Sequence, residues 1–148
     1  MTDTNYLLPV YNYRVTIGTT TMGFSEVSGL SVEYEPVTYR HGLSFKLGLM
    51  IIPGKIKPIR LTLKKGLTNS SYLHDWIEKS QKELNGAKRD VIIELCDQKC
   101  NPVITWTAQE SMPIKLEISP FIASSNTVAV ASLELVVANL NVNYPTKI

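Results

Sequence analysis

Residues 127–140 read TVAVASLELVVANL, and apolar side chains occupy both alternating sets of positions in this segment. Successive side chains of a strand point to opposite faces of a sheet, so this pattern is typical of a strand that is covered on both sides. One face carries Ala129, Ala131, Leu133, Leu135 and Val137, and the other carries Val128, Val130, Val136 and Ala138. The second face can be closed by a helix of the same chain or by another subunit, and the sequence leaves both possibilities open.

Alternating apolar and polar residues predict further strands. Tyr11, Tyr13, Val15 and Ile17 alternate with polar residues and lead into a polar turn at 18–23, which predicts an opening hairpin. The apolar alternation of residues 30–34 changes register beyond Pro36, which predicts a bulge or bend. Strands are also expected at 59–64, 91–96, 103–108 and 114–118.

Only one segment has a helical period. Leu73, Trp76, Ile77 and Leu84 share one face, with Asn69 or Ser70 as a possible N-cap and Gly86 as a C-terminal stop. The sequence therefore predicts a mainly β protein, a β-sandwich or small β-barrel of six to seven strands with one packed α-helix. We expect a single domain over residues 1–148.

Residues 41–55 are predicted to form a long loop because they contain three glycines and Pro53. An uninterrupted apolar cluster, Leu49, Met50, Ile51 and Ile52, lies in its middle. Contiguous apolar patches on loops usually mark an interface, so this cluster is a candidate contact surface between copies. The alternative is that the loop folds back to cap the core of its own chain.

Composition and motifs argue against several functions. The 148-residue chain has a net charge of +2, with no block of like charge to attract nucleic acid. The N-terminal residues do not resemble a signal peptide, and no apolar run reaches the length of a membrane span, so we expect assembly in the cytoplasm and no membrane binding by the monomer. The chain contains no phosphate loop, dinucleotide fingerprint, nucleophile elbow or two-histidine metal motif. These observations predict a protein that is not an enzyme and uses no cofactor or metal.

The remaining reactive residues favour structural interpretations. Cys96 and Cys100 are expected to be free thiols, since a cytosolic disulfide is rare and zinc would need two more ligands. His74 and Asp75 on the predicted helix are interpreted as a solvated surface pair, and His41 as a contact residue. Glu33 and Glu35 share one face of a strand, which a glycosidase could also show, but a wet strand face explains them better.

Several short segments, taken in this order and at this spacing, resemble the tail tube family of contractile phages and of phage-tail-like injection particles of the antifeeding-prophage and virulence-cassette type. The segments are PVY at 9–11, YRV at 13–15, FSEVSGL at 24–30, YRHG at 39–42, PGK at 53–55, LTLKKGL at 61–67, DWI at 75–77, TW at 105–106, MP at 112–113, SNTVAV at 125–130 and LEL at 133–135.

The resemblance implies a structural subunit whose six copies form a ring, with rings stacked into a hollow tube. It implies sheath, baseplate and terminator proteins as partners, luminal cargo or DNA, and a final location in a virion tail or an injection particle. On this basis we expect residues Leu49, Met50, Ile51 and Ile52 at the ring-to-ring contact and Val128, Val130 and Val136 in an inter-subunit strand. Two alternatives remain open: a tube-initiating baseplate ring of the same family, and a small-ligand-binding β-barrel.

Overall fold

The computed structural model describes residues 12–39, 50–83 and 87–144. Within them lie ten strands and one helix. The elements are β1 (Tyr13–Ile17), β2 (Thr20–Met22), β3 (Glu26–Ser28), β4 (Tyr34–Tyr39), β5 (Met50–Ile56), β6 (Ile59–Gly66), α1 (Tyr72–Lys82), β7 (Arg89–Cys96), β8 (Pro102–Ile118), β9 (Val130–Val137) and β10 (Asn139–Asn143). The mainly β class with one helix is confirmed, with ten described strands where the sequence predicts six to seven.

Eight of the described strands form one antiparallel sheet in the order β2-β1-β7-β8-β9-β6-β3, and β10 also pairs with β8. The short strands β2 and β3 end this path without pairing to each other, so the described strands do not close into a barrel. The opening hairpin is confirmed, because β1 pairs with β2, and β1 also pairs with β7. The predicted turn at 18–23 is shorter than expected, because Thr20–Met22 form β2. Strands β4 and β5 form a separate two-stranded sheet.

Strand β8 is 17 residues long and joins the two halves of the sheet. Its first part lies between β7 and β10, and its second part pairs with β9. The sequence predicts two strands here, at 103–108 and 114–118, and this is wrong. The chain continues through the junction because Glu110 adopts a positive φ of 52° and its backbone N–H donates to Asp90 Oδ1 at 3.0 Å.

Both halves of the sheet contribute to one hydrophobic core. Its members include Val15, Ile17, Leu61, Leu63, Trp76, Val91, Ile93, Leu133 and Leu135. Full burial of one such aliphatic side chain contributes roughly 1.5–3 kcal/mol to folding. The alternation seen in β9 is thus explained on its first face, where Ala131, Leu133, Leu135 and Val137 are all buried.

Helix α1 packs against β8 on the core-facing side of the sheet. Its buried residues Leu73 and Trp76 belong to the same core cluster as Leu133 and Leu135. The Trp76 indole N–H donates to the Ala87 carbonyl at 2.6 Å, which fixes the end of the helix connection. The helix therefore does not cover the outer face of β9. Its N-cap position is Ser71 instead of Asn69 or Ser70, and the predicted Leu84 and Gly86 lie outside the described residues.

The predicted loop at 41–55 is partly wrong, because residues 50–56 form β5 and pair with β4. Pro53 and Gly54 are tolerated within this strand since the pairing register shifts between Tyr34 and Pro36, which places Pro36 opposite Pro53. That shift confirms the bulge predicted at Pro36. Residues 41–49, including His41 and Leu49, lie outside the described residues.

Candidate assembly surfaces

The β4–β5 hairpin is held by contacts between its own strands and the chain beside them. The Lys57 backbone N–H donates to the Glu33 carbonyl at 2.7 Å, and Lys57 Nζ lies 3.1 Å from Glu33 Oε1. At Gly54 the two strands approach so closely that an added Cβ would lie 2.5 Å from the Glu35 carbonyl oxygen. The sequence therefore specifies a tight two-stranded ribbon at this position.

This ribbon presents apolar side chains to solvent on both faces. Val37 and Ile52 are opposite each other and are 46% and 43% exposed, while Ile51, on the other face, is 71% exposed. An isolated two-stranded hairpin is at best marginally stable in water, and its outer edges carry backbone groups that the described strands leave unpaired. Such a ribbon is suited to packing against a neighbouring molecule.

The structure places the predicted ring-to-ring residues as follows. Met50, Ile51 and Ile52 fall in β5, where Ile51 and Ile52 are exposed. Because Ile51 and Ile52 are exposed, the structure does not support the alternative in which these two residues cap the core of their own chain. Leu49 lies outside the described residues, so the contact assignment stays a prediction.

The predicted inter-subunit residues lie on or beside the outer face of β9. Val130 and Val136 are half-buried and point away from the core, and Val128 is exposed just before the strand. Within the described residues the helix lies on the core side of the sheet and does not cover this apolar face, for which the sequence suggests a neighbouring subunit as the other possible cover. That explanation stays a prediction.

A third apolar surface was not predicted from the sequence. Phe121 and Ile122, in the loop between β8 and β9, are 79% and 60% exposed. One sequence signal could have found them. Phe121 and Ile122 stand between Pro120 and a run of small, mostly polar residues, which indicates a loop, so these two apolar side chains are not expected to belong to the core. Period-based analysis overlooks such residues because it detects only side chains that repeat along an element.

Charged side chains on the sheet are paired with each other. The pairs are Arg14–Glu94, Arg60–Glu134, Lys64–Glu26 and Lys115–Glu117, with N–O distances between 3.3 and 3.4 Å. The pKa of Arg14 is raised by its hydrogen bond to Glu94. Arg60 and Lys64 lie on β6, which pairs with β9 along its length and with β3 at residues 62–64. These pairs neutralise the sheet surface within one copy.

The residues considered for catalysis do not form a site. His74 pairs with Glu78 at 3.3 Å, and Asp75 accepts a hydrogen bond from the Ser71 hydroxyl at 2.9 Å. Glu33 pairs with Lys57 at the base of the hairpin. In the described ranges no cluster of three or more His, Cys, Asp or Glu side chains is arranged to hold a metal ion.

Both cysteines are free in the structure. Cys96 is buried, and desolvation raises the pKa of its thiol, while Cys100 is exposed in the turn that follows β7. Among residues 12–39, 50–83 and 87–144, no helix is long and apolar enough to span a bilayer.

The profile of the family described as T4-like virus tail tube protein gp19 matches residues 9–141. The chain belongs to this tail tube family. A search of curated proteins finds no match.

Solved structures place this tail tube protein among injection-system components. It is 30% identical, with a TM-score of 0.83, to a chain of an extracellular contractile injection system, the PVC sheath-tube complex in the extended state, covering 94% of this chain and 93% of that one. It is 29% identical, with a TM-score of 0.84, to a chain of the PVC sheath/tube terminator, covering 95% and 99%. It is 25% identical, with a TM-score of 0.86, to a chain of the anti-feeding prophage tube-terminating cap, covering 97% and 95%.

Proposed function

We propose that this tail tube protein is the repeating structural subunit of the inner tube of a contractile injection system. Six copies form a ring, and rings stack into a hollow tube. The observation that carries the proposal is the β4–β5 ribbon, which exposes apolar side chains on both faces in a chain that belongs to a tube-building family.

We assign the two kinds of assembly contact to two different surfaces of the subunit. The ribbon, with Leu49, Met50, Ile51 and Ile52, makes the ring-to-ring contact. The outer face of β9, with Val128, Val130 and Val136, makes the contact between subunits of one ring. Contacts of one surface with a different surface close into a ring when the rotation allows it and extend into a filament when it does not, so one fold can support both.

The partners follow from where similar proteins are found. Related chains come from a sheath-tube complex, a sheath/tube terminator and a tube-terminating cap. We therefore assign sheath and terminator proteins as neighbours of the tube. Baseplate proteins as further neighbours, and cargo or DNA as the luminal content, are added to the proposal from the family resemblance alone. The subunit assembles in the cytoplasm and ends in a virion tail or an injection particle. Its residues act by packing, and no catalytic role is assigned.

The ligand-binding alternative receives little support from the cavities. Within the described residues, two recesses lined mainly by apolar side chains have volumes of about 240 Å³ and 260 Å³. Two others, of about 330 Å³ and 350 Å³, are lined mostly by polar and charged residues. Small-molecule sites usually occupy roughly 300–1,000 Å³ and enclose most of their ligand. The two apolar recesses are better suited to one or two protein side chains.

Negative-stain microscopy of the purified full-length protein tests the proposal. Long hollow tubes with rings of six subunits are the expected result. Single rings that never stack would instead favour the tube-initiating baseplate ring. A stable monomer over a wide concentration range in sedimentation would contradict both assignments.

A further inference from the structure

Two apolar features of the described residues are not used by the contacts proposed above. One is convex: Phe121 and Ile122, here called the knob, project from the loop between β8 and β9. The other is concave: a recess of about 260 Å³, here called the cleft, opens between β3 and the β1-β7-β8 side of the sheet. Its apolar lining consists of Tyr13, Val27, Leu30, Ile93, Leu95 and Trp106.

The knob is held in place by the loop that carries it. Ser119 and Val130 bridge the base of the loop, since the Ser119 N–H donates to the Val130 carbonyl and the Val130 N–H donates to the Ser119 hydroxyl, both at 2.9 Å. The Ser125 N–H donates to the Ile122 carbonyl at 3.1 Å. A loop ordered before binding loses less conformational entropy when it docks. The exposed Phe121 and Ile122 are therefore prepared for a partner.

The cleft has the size and chemistry to receive the knob. A cavity of roughly 150 Å³ is enough to hold a benzene molecule, so the cleft can accept the phenyl ring of Phe121 together with part of an aliphatic side chain. Of its lining residues only Glu26 is charged. The knob lies in a segment, 118–133, that contains no charged residue. Depletion of charge on both surfaces is characteristic of the core of a protein interface.

In this structure the knob does not fill the cleft of its own chain. Trp106 lines the cleft near the start of β8, whereas the knob follows the end of the same strand at Ile118. Phe121 and Ile122 are not among the residues that line the cleft, and they are 79% and 60% exposed, so within the described residues both features stay open.

We propose that the knob of one copy inserts into the cleft of a second copy, and that this head-to-tail contact links neighbouring subunits. The inference rests on the proposed tube function, because it requires several copies in one assembly. A contact between two different surfaces leaves a free knob and a free cleft at the ends of every intermediate, which allows further copies to add.

Complementation between two disabled variants tests this contact. Phe121→Asp removes the knob and Leu30→Asp blocks the cleft, so each variant alone is expected to stay small in sedimentation. Mixed together, they retain one intact knob and one intact cleft in each unlike pair, and we expect larger species in sedimentation than either variant forms alone. Ser124→Asp, an exposed change in the knob loop, is the matched control and should assemble like the original protein.

A disulfide readout covers the case in which Leu30→Asp does not fold. In a Cys96→Ser, Cys100→Ser background, Phe121→Cys combined with Leu30→Cys should give oxidised ladders of linked chains, and Ser124→Cys combined with Leu30→Cys should give markedly fewer. Assembly of both Asp variants like the original protein, or a crosslink confined to single chains, would overturn the knob-in-cleft contact while leaving the tube function standing. If the original protein itself forms no rings or tubes, the tube function fails instead.

Discussion

Gly29 occupies a backbone conformation that other residue types adopt only with strain. Its φ is +93°, and an added Cβ would overlap the Arg60 carbonyl on the neighbouring strand β6. A non-glycine residue in such a region costs about 1–3 kcal/mol before any clash is counted. We expect Gly29→Ala to lower the free energy of unfolding by at least about 2 kcal/mol, measured by urea denaturation.

Gly23 supplies the matched control for this change. A Cβ at Gly23 would meet no atom within 4 Å, and its φ lies outside the positive region. Gly23→Ala should therefore change the unfolding free energy by less than about 1 kcal/mol. Equal effects of the two substitutions would show that the close approach at Gly29 is not specific.

The two cysteines should differ sharply in reactivity. The thiolate is the reactive form, and burial raises the pKa of the Cys96 thiol, so Cys96 stays protonated at pH values where an exposed cysteine ionises. At pH 8 we expect iodoacetamide to label Cys100 and spare Cys96, with both labelled in urea, as measured by mass spectrometry. Native labelling of a Cys100→Ser variant as fast as of the original protein would contradict this.

The same shift has a defined consequence for stability. In the unfolded chain Cys96 ionises at a lower pH than in the folded protein, so the folded state binds more protons in that range. The contribution of the Cys96 thiol to the free energy of unfolding therefore falls as the pH rises above the pKa of an unfolded cysteine.

At the scale of elements, the β4–β5 ribbon can be tested apart from the rest of the fold. Ile51 is 71% exposed, so Ile51→Asp should leave circular dichroism and the melting temperature close to those of the original protein. If the ribbon joins rings, the variant should form rings that no longer stack, because a carboxylate would be buried at the contact. Negative-stain microscopy gives the readout.

Gln98→Asp provides the matched control for Ile51→Asp. It adds the same side chain at an exposed position in the turn after β7, far along the chain from the ribbon. This control should still form tubes. Normal tubes from Ile51→Asp, or an unfolded Ile51→Asp protein, would contradict the assignment of the ribbon.

The sequence predicted well those elements in which apolar residues recur without interruption at the period of a strand or a helix. The alternation in β1, β6 and β9 and the helical face of Trp76 are each satisfied by the same core, so local pattern and tertiary packing agree. The change in the register of apolar residues at Pro36 also predicted the bulge, since a one-residue shift moves every later side chain to the other face of the sheet.

The prediction failed where tertiary contacts override local signals. Residues 109–113 break the alternation, yet β8 continues because Asp90 binds the backbone at Glu110. Pro53 and Gly54 suggest a loop, yet they sit in β5 opposite a second proline. The knob was missed because an exposed pair of apolar residues has no period, and the cleft was missed because its lining comes from four separate strands and one connecting segment.

At the scale of the whole molecule, the proposed contacts between copies are apolar and the ion pairs on the sheet lie within one copy. At 1 M salt the Debye length falls to about 3 Å, which screens charges between exposed surfaces but does not weaken apolar packing. We expect assembled tubes to persist when sodium chloride is raised from 0.1 M to 1 M, as followed by light scattering and microscopy. Dissolution at 1 M, reversed by dialysis, would show that charges between copies hold the tube together.

Strand β8 also has a mechanical consequence. Over residues 105–108 it is paired with β7 on one edge and with β10 on the other, and it then continues beside β9. A pull along its axis loads these ladders in shear, so many hydrogen bonds resist together, whereas a pull across the axis would peel them apart one after another. The subunit should therefore be stiffest along β8, and a thrust directed along this strand would pass from one half of the sheet to the other through continuous covalent backbone.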